Sequence, residues 1–188
     1  MGDFIKAGYT VVFVDEFHWD VGNVKTRGWG PKGQKHFRTV GSSSVSLSCI
    51  CSISDSGNRH CKIFNGTING ELFRAYMQEL IALYRLDNAN VVFVMDNASI
   101  HKNDIADLCQ QYGCNVLFNA PYSPECNPIE MVFGFWKTRV GKLSNVDIGS
   151  LLGNIAACFE EITPAEVKRC IAHFLGPVTI RIKNMEDL

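Results

Sequence analysis

VVFVD, residues 11–15, and VVFVMDN, residues 91–97, decide how this chain folds. Each is a run of apolar side chains that drives into an aspartate, Asp15 in the first and Asp96 in the second. Residues 9–16 are apolar on both faces rather than alternating, the pattern of a central strand covered on both sides. Stopping such a run on a carboxylate puts charge where desolvation is costly unless water, a cation or a metal meets it. A third acid, Glu130, closes PYSPECNPIE, residues 121–130.

Outward from the first run, the polar, glycine-rich stretch over 20–33, with turn residues throughout GWGPKGQ, reads as a long hairpin or loop. A strand is predicted near 36–41. Another is predicted over 44–54, where Val45, Leu47, Cys49 and Cys51 share one face with serines mostly opposite. DSGN then turns the chain back into RHCKIFNGTI, residues 59–68. Behind Asn69 as a cap, Leu72, Phe73, Tyr76, Met77, Leu80, Ile81 and Tyr84 recur at helical spacing up to Leu86. A strand, helix, strand passage of this length predicts a parallel neighbour by right-handed crossover, with Asp15 and Asp96 at the same edge.

A shorter helix over 103–112, closed by Gly113, leads to a strand in NVLFN, residues 115–119. Pro128 opens a helix with Ile129, Phe133, Trp136 and Val140 as its apolar stripe and Glu130 in its first turn. Two more helices follow, at about 148–160 and 164–174, the second introduced by a capping box from Thr163 to Glu166. The order is three antiparallel strands, helix, strand, helix, strand, then helices: an α/β chain with no internal repeat or linker.

At 188 residues the chain suits one domain with a real core. Its 46% hydrophobic and 20% charged residues are ordinary for a globular protein, and no apolar stretch approaches the roughly 20 residues that span a bilayer. No secretory signal or myristoylation pattern opens the sequence, so an intracellular protein is expected, nuclear if the source is eukaryotic and otherwise cytoplasmic or nucleoid-associated. The eight cysteines are scattered through strands and helices, which predicts reduced, buried thiols. Cys49, Cys51 and Cys61 fall on paired strands, yet no CxxC or histidine pair accompanies them as a zinc site would require. With 18 basic and 19 acidic residues the bulk charge does not announce a nucleic-acid binder, so local patches must carry that argument.

Two strand-end carboxylates a few ångströms apart repel, so that one is protonated or both share a cation. Magnesium, a hard ion, takes oxygen ligands, usually one or two carboxylates with waters and substrate phosphate. A third acid on an adjacent helix extends the site to two ions about 4 Å apart, the arrangement of an in-line phosphoryl displacement. Three carboxylates and a phosphodiester nearly neutralise two divalent ions, so metal and nucleic acid should bind cooperatively. Each acid also admits a structural role. Asp15 could be a solvated strand terminus with Glu16 facing inward, Asp96 could hold the turn after it, and Glu130 could complete a capping box with Asn127 and Pro128.

VVFVDEFHW, GWGPKGQ, NGTINGELF, VVFVMDNASIH and PYSPECNPIEMVFGFWK, in that order and with 33 residues between Asp96 and Glu130, resemble the catalytic domain of mariner-like DDE transposases over about residues 9–142. The resemblance implies a ribonuclease H-like fold with a mixed five-stranded sheet, three strands antiparallel and two parallel, flanked by helices and followed by C-terminal helices over about 147–175. It carries the catalytic and metal-ligating triad onto Asp15, Asp96 and Glu130, with Mg2+ or Mn2+ as cofactor, two ions in all. It implies cleavage of DNA at transposon ends and joining of the freed 3′ hydroxyl to target DNA. The expected partner is double-stranded DNA, bound by a homodimer when active, with no membrane and no small-molecule substrate. The resemblance also implies helix-turn-helix modules ahead of the catalytic domain, which residues 1–188 are expected to lack.

Lys137 lies two helical turns beyond Glu130, on the same face, where its ammonium can meet a DNA phosphate or simply stay solvated. Lys32, Lys35, His36 and Arg38, with Trp29 among them, form either a basic, aromatic loop for DNA contact or a plain soluble hairpin. His101 could orient a phosphate near Asp96 or merely open the following helix. A transposase-derived scaffold that has lost cutting is the alternative function, and a hydrolytic nuclease of ribonuclease H type a third, although it would lack the PYSPE and NPIE helix entry.

Overall fold

The computed structural model describes residues 1–20, 46–86, 90–96, 102–119, 127–145 and 147–186. Among these, five strands form one sheet: β1 (Thr10–Asp20), β2 (Ser46–Ser54), β3 (Arg59–Asn65), β4 (Val91–Met95) and β5 (Asn115–Phe118), in the order β3-β2-β1-β4-β5. β2 lies antiparallel to both β1 and β3, whereas β4 joins β1, and β5 joins β4, in parallel. The mixed sheet read from the sequence is therefore present. The strand expected near 36–41 and the loop expected over 20–33 fall, apart from Asp20, outside the described residues.

Alternation across β1 builds two cores. Val11, Phe13 and Trp19 join Cys49, Cys51, Ile53, Val92 and Val94 under three helices, α4 (Ile129–Val140), α5 (Ile148–Glu160) and α6 (Pro164–Glu186). Val12 and Val14 point the other way, with Ile50, Phe93 and Met95, under α2 (Gly70–Leu86) and α3 (Lys102–Gln111). Residues 11–14 are each 0% exposed, which makes β1 the doubly covered central strand that its composition required. Burying such side chains stabilises the fold by about 2 kcal/mol each.

The helices form for local reasons and dock for apolar ones. Asn69 Oδ1 accepts the Leu72 backbone N–H at 2.9 Å, and Phe73, Tyr76, Met77, Leu80, Ile81 and Tyr84 make the buried stripe of α2. Thr163 and Glu166 form the expected capping box at α6, with Glu166 Oε2 accepting the Thr163 N–H at 2.8 Å. Trp136 is 0% exposed on α4 and donates its indole N–H to the Ile155 carbonyl at 3.0 Å, which fixes α5 against α4. At the β2–β3 turn, Gly57 has φ of 94°, and a Cβ there would meet Pro164 and Lys168 at about 3 Å, so only glycine lets α6 start against this turn.

Four details differ from the sequence reading. β1 runs on to Asp20 instead of stopping near Asp15, because Phe17 and Trp19 keep alternating into the first core beside β2. The serines of β2 are not on an open face: Ser48, Ser52 and Ser54 are buried, satisfied by contacts such as Ser48 Oγ to the Gly66 carbonyl at 2.6 Å. α6 extends to Glu186. A short helix, α1 (Gly2–Lys6), precedes β1, with Phe4 edge-on to Tyr9 at 5.0 Å. No helix among the described residues is long and apolar enough to cross a membrane.

Candidate active site

Parallel pairing of β1 with β4 runs from Thr10–Val91 to Phe13–Val94 and then ends, while β1 continues alone against β2. Counted two residues further, the same register leads to Asp15 on β1 and to Asp96, the residue after β4. Asp15 belongs to the row of Val11 and Phe13, and Asp96 continues the row of Val92 and Val94, so the backbone places both on the face covered by α4. The two acids thus lie just beyond the end of the parallel pairing of β1 with β4.

Asp15 is partly buried, and both of its oxygens are engaged. Oδ1 accepts the Glu16 backbone N–H at 2.7 Å, and Oδ2 accepts the Asn127 side-chain N–H at 2.9 Å. Burial pushes its pKa up to about 7, against the lowering effect of the Glu16 N–H, and the charges of Glu130, Asp96 and Glu16 push it further in the same direction. Those Coulombic contributions show that Glu130 and Asp96 lie within electrostatic reach of Asp15.

Glu130 is exposed in the first turn of α4, as is Asp96 just beyond β4. Asn127 is 4% exposed and its Oδ1 accepts the Ile129 N–H at 3.3 Å, so it does cap this helix, while Pro128 holds helical angles immediately before it. Lys137 is exposed on the same helix and holds its ammonium 4.9 Å from the centre of the Phe17 ring, two residues along β1 from Asp15. Phe17 in turn packs on Phe133 at 4.8 Å and Trp19 at 4.9 Å. Lys32, Lys35, Arg38 and His101 lie outside the described residues.

Two contacts beside these acids escaped the sequence reading. Asn127 had signalled only a helix cap, and its bond to Asp15 spans 112 positions in the chain. Phe17 lay just beyond the strand read over 9–16; the alternation of Asp15, Phe17 and Trp19 on one face was the available clue.

The donors gathered here are oxygens, the set that a hard divalent ion such as Mg2+ or Mn2+ prefers, and a cation would relieve the crowding of negative charge about Asp15. Among the described residues, no three acids, histidines or cysteines are grouped closely enough to hold an ion by themselves. Asp15, Asp96 and Glu130 are all among those residues, so their carboxylates do not form such a group here. The seven described cysteines are free thiols, five of them buried, and Cys51 and Cys61 face each other across β2 and β3 with sulfurs 2.7 Å apart.

This architecture and this edge of carboxylates define a class. The chain belongs to the family described as DDE superfamily endonuclease, which it matches over residues 10–150. Its fold is the ribonuclease H-like fold of the catalytic domain of the Mos1 mariner transposase, as the resemblance implied. The mariner Mos1 paired end complex with Mg aligns at TM-score 0.70 and 20% identity, covering 87% of this chain and 52% of that one. The Mos1 transposase catalytic domain with Raltegravir and Mg aligns at 0.66 and 16%, covering 92% and 83%. The Mos1 catalytic domain alone aligns at 0.57 and 15%, covering 92% and 87%. The chain thus spans about half the length of the transposase in the paired end complex and most of its catalytic domain. Among curated proteins, none matches.

Proposed function

We propose that this chain is a single transposase catalytic domain that cleaves DNA and transfers the freed 3′ end to a target strand, using divalent metal held by Asp15, Asp96 and Glu130. The observation that carries this reading is the Asn127 bond that ties Asp15, beyond the end of the β1–β4 parallel pairing, to the start of the helix bearing Glu130, with Glu130 and Asp96 both within electrostatic reach of Asp15. The Mg and Mn found with the similar Mos1 domain support it, as do that protein's paired end and strand transfer complexes.

Bound divalent ions would supply activation of the attacking oxygen and charge stabilisation of the leaving oxygen in an in-line displacement. The chain's own groups prepare for that. Asp15 is held by Glu16 and Asn127 with lone pairs left over for a cation. Asp96, just after β4, and Glu130, in the first turn of α4, are the other two acids of the proposed site. Lys137, steadied over Phe17, meets a DNA phosphate beside the acids, and Lys32, Lys35, Arg38 and His101 extend the contact with DNA. Double-stranded DNA is the substrate, a homodimer the active assembly, and the nucleus the working compartment in a eukaryotic source.

Calorimetric titration with Mn2+ and nicking of supercoiled plasmid in Mg2+ or Mn2+ test this together. Wild type should bind Mn2+ more tightly than an Asp15→Ala, Asp96→Ala double variant. Asp96→Asn should lower nicking by on the order of 10^3-fold, the scale of losing a principal catalytic group. Equal Mn2+ binding by wild type and the double variant would reject the metal site. Metal binding without nicking would leave the scaffold alternative.

A further inference from the structure

We infer that Asn127 is a positioning residue that sets the Asp15 carboxylate for the cation and couples it to the helix carrying Glu130, an inference that rests on the proposed function. Asn127 is 4% exposed and makes three contacts at once. Its Nδ2 donates to Asp15 Oδ2 at 2.9 Å, its Oδ1 accepts the Ile129 N–H at 3.3 Å, and its backbone carbonyl accepts the Glu130 N–H at 3.2 Å. One residue therefore grips the acid on β1 with its side chain while starting the turn that presents the acid on α4.

The orientation of the carboxamide is set by chemistry. Turned over, it would aim Oδ1 at the Asp15 carboxylate and Nδ2 at the Ile129 N–H, two like-on-like contacts in a buried setting. Only the observed orientation satisfies both neighbours, so the donor is committed to Asp15. A carboxylate has about four lone-pair sites. The Glu16 N–H occupies one on Oδ1 and Asn127 one on Oδ2, which locks the carboxyl plane and leaves the remaining pairs for a cation. Pro128, with φ −64° and ψ −14°, restricts the backbone next to Asn127, so the grip and the helix start move as one unit.

Capping and positioning make different demands on this side chain, which separates them by experiment. Serine and aspartate are good caps. Neither can replace the amide donor: serine is too short to span the gap to Asp15, and aspartate would oppose one carboxylate with another. If Asn127 only caps α4, Asn127→Ser and Asn127→Asp behave as wild type. If it positions Asp15, both variants keep a cooperative melt within a few degrees of wild type but bind Mn2+ about 10–100-fold more weakly, the usual loss when the partner of a metal ligand is removed. Plasmid nicking should then fall in kcat by a similar factor with the KM for DNA unchanged.

The full 188-residue chain is titrated with Mn2+ by calorimetry and followed by thermal melting and nicking, alongside the Asp15→Ala, Asp96→Ala double variant. Wild-type Mn2+ affinity in either Asn127 variant would overturn this inference while leaving the proposed function standing. Loss of the cooperative melt in both Asn127 variants would overturn it as well, by making Asn127 a folding residue. Failure of wild type to exceed the double variant would sink the proposed function and this inference together.

Discussion

The ends of VVFVD and VVFVMD carry nearly the same residues into different surroundings. Asp15 lies within β1, with five more strand residues after it, partly buried and hydrogen-bonded through both oxygens. Asp96 lies just beyond the last residue of β4 and is exposed. β2 continues alongside Asp15, pairing it with Cys51, and Asn127 leans in from the start of α4. The lesson is that the burial of a carboxylate is set by what covers its strand, since the two runs are interchangeable locally.

Stability against pH gives the largest effect with which to break that comparison. Asp15 ionises near 3.8 in the unfolded chain and at about 7 when folded. Below both values it is protonated in either state and contributes no difference. Between them the folded state keeps a proton that the unfolded state has released, so stability falls as pH rises from about 4 to 7 and stays lowered above. A displacement of that size is worth at most about 4 kcal/mol. Urea melts of Asp15→Asn should lack this decline, whereas Asp96→Asn should retain most of it, because burial outweighs the charge of Asp96 as its cause. Equal flattening in both variants would mean that the two sites are electrostatically alike.

Metal addition should reverse the same penalty. At pH 8, Mn2+ at 100 times its dissociation constant should stabilise wild type by about 2.7 kcal/mol, read as a rise in Tm. Asp15→Asn and Asp96→Asn should each lose most of that rise, showing that the unlike acids serve one ion. The smallest effect concerns Lys137, which rests on the strand of Asp15 through Phe17. Lys137→Ala should cost about 0.5–1 kcal/mol of stability, the worth of an exposed cation–π contact. It should also reduce the salt dependence of DNA binding, as log K against log salt, by about one phosphate contact.

Much of this was legible from particular residues. The doubly apolar run over 11–14 identified the central strand, the stripe from Phe73 to Tyr84 identified the crossover helix, and Thr163 with Glu166 announced α6. These signals are short-range: they repeat every second residue or every turn. The burial of Ser48, Ser52 and Ser54 was not legible, because a serine shows no sign of the second layer that α2 lays over it. The prolongation of β1 past Asp15 was missed for a related reason. A charged pair, Asp15 and Glu16, looks like a strand end until Phe17 and Trp19 are seen to pack against Phe133 and Trp136.

By itself the sequence determined that two apolar strands, separated by an antiparallel meander and a helix of crossover length, run parallel, and from this it predicted their aspartates at one edge. Periodicity and chain reach settle that much. Only the tertiary structure decided which aspartate is desolvated, that Asn127 holds it from 112 positions away, and that Lys137 lies over Phe17. Desolvation and hydrogen bonding of this kind are sums over every group that closes around a site, and those groups come from strands and helices that no local pattern links.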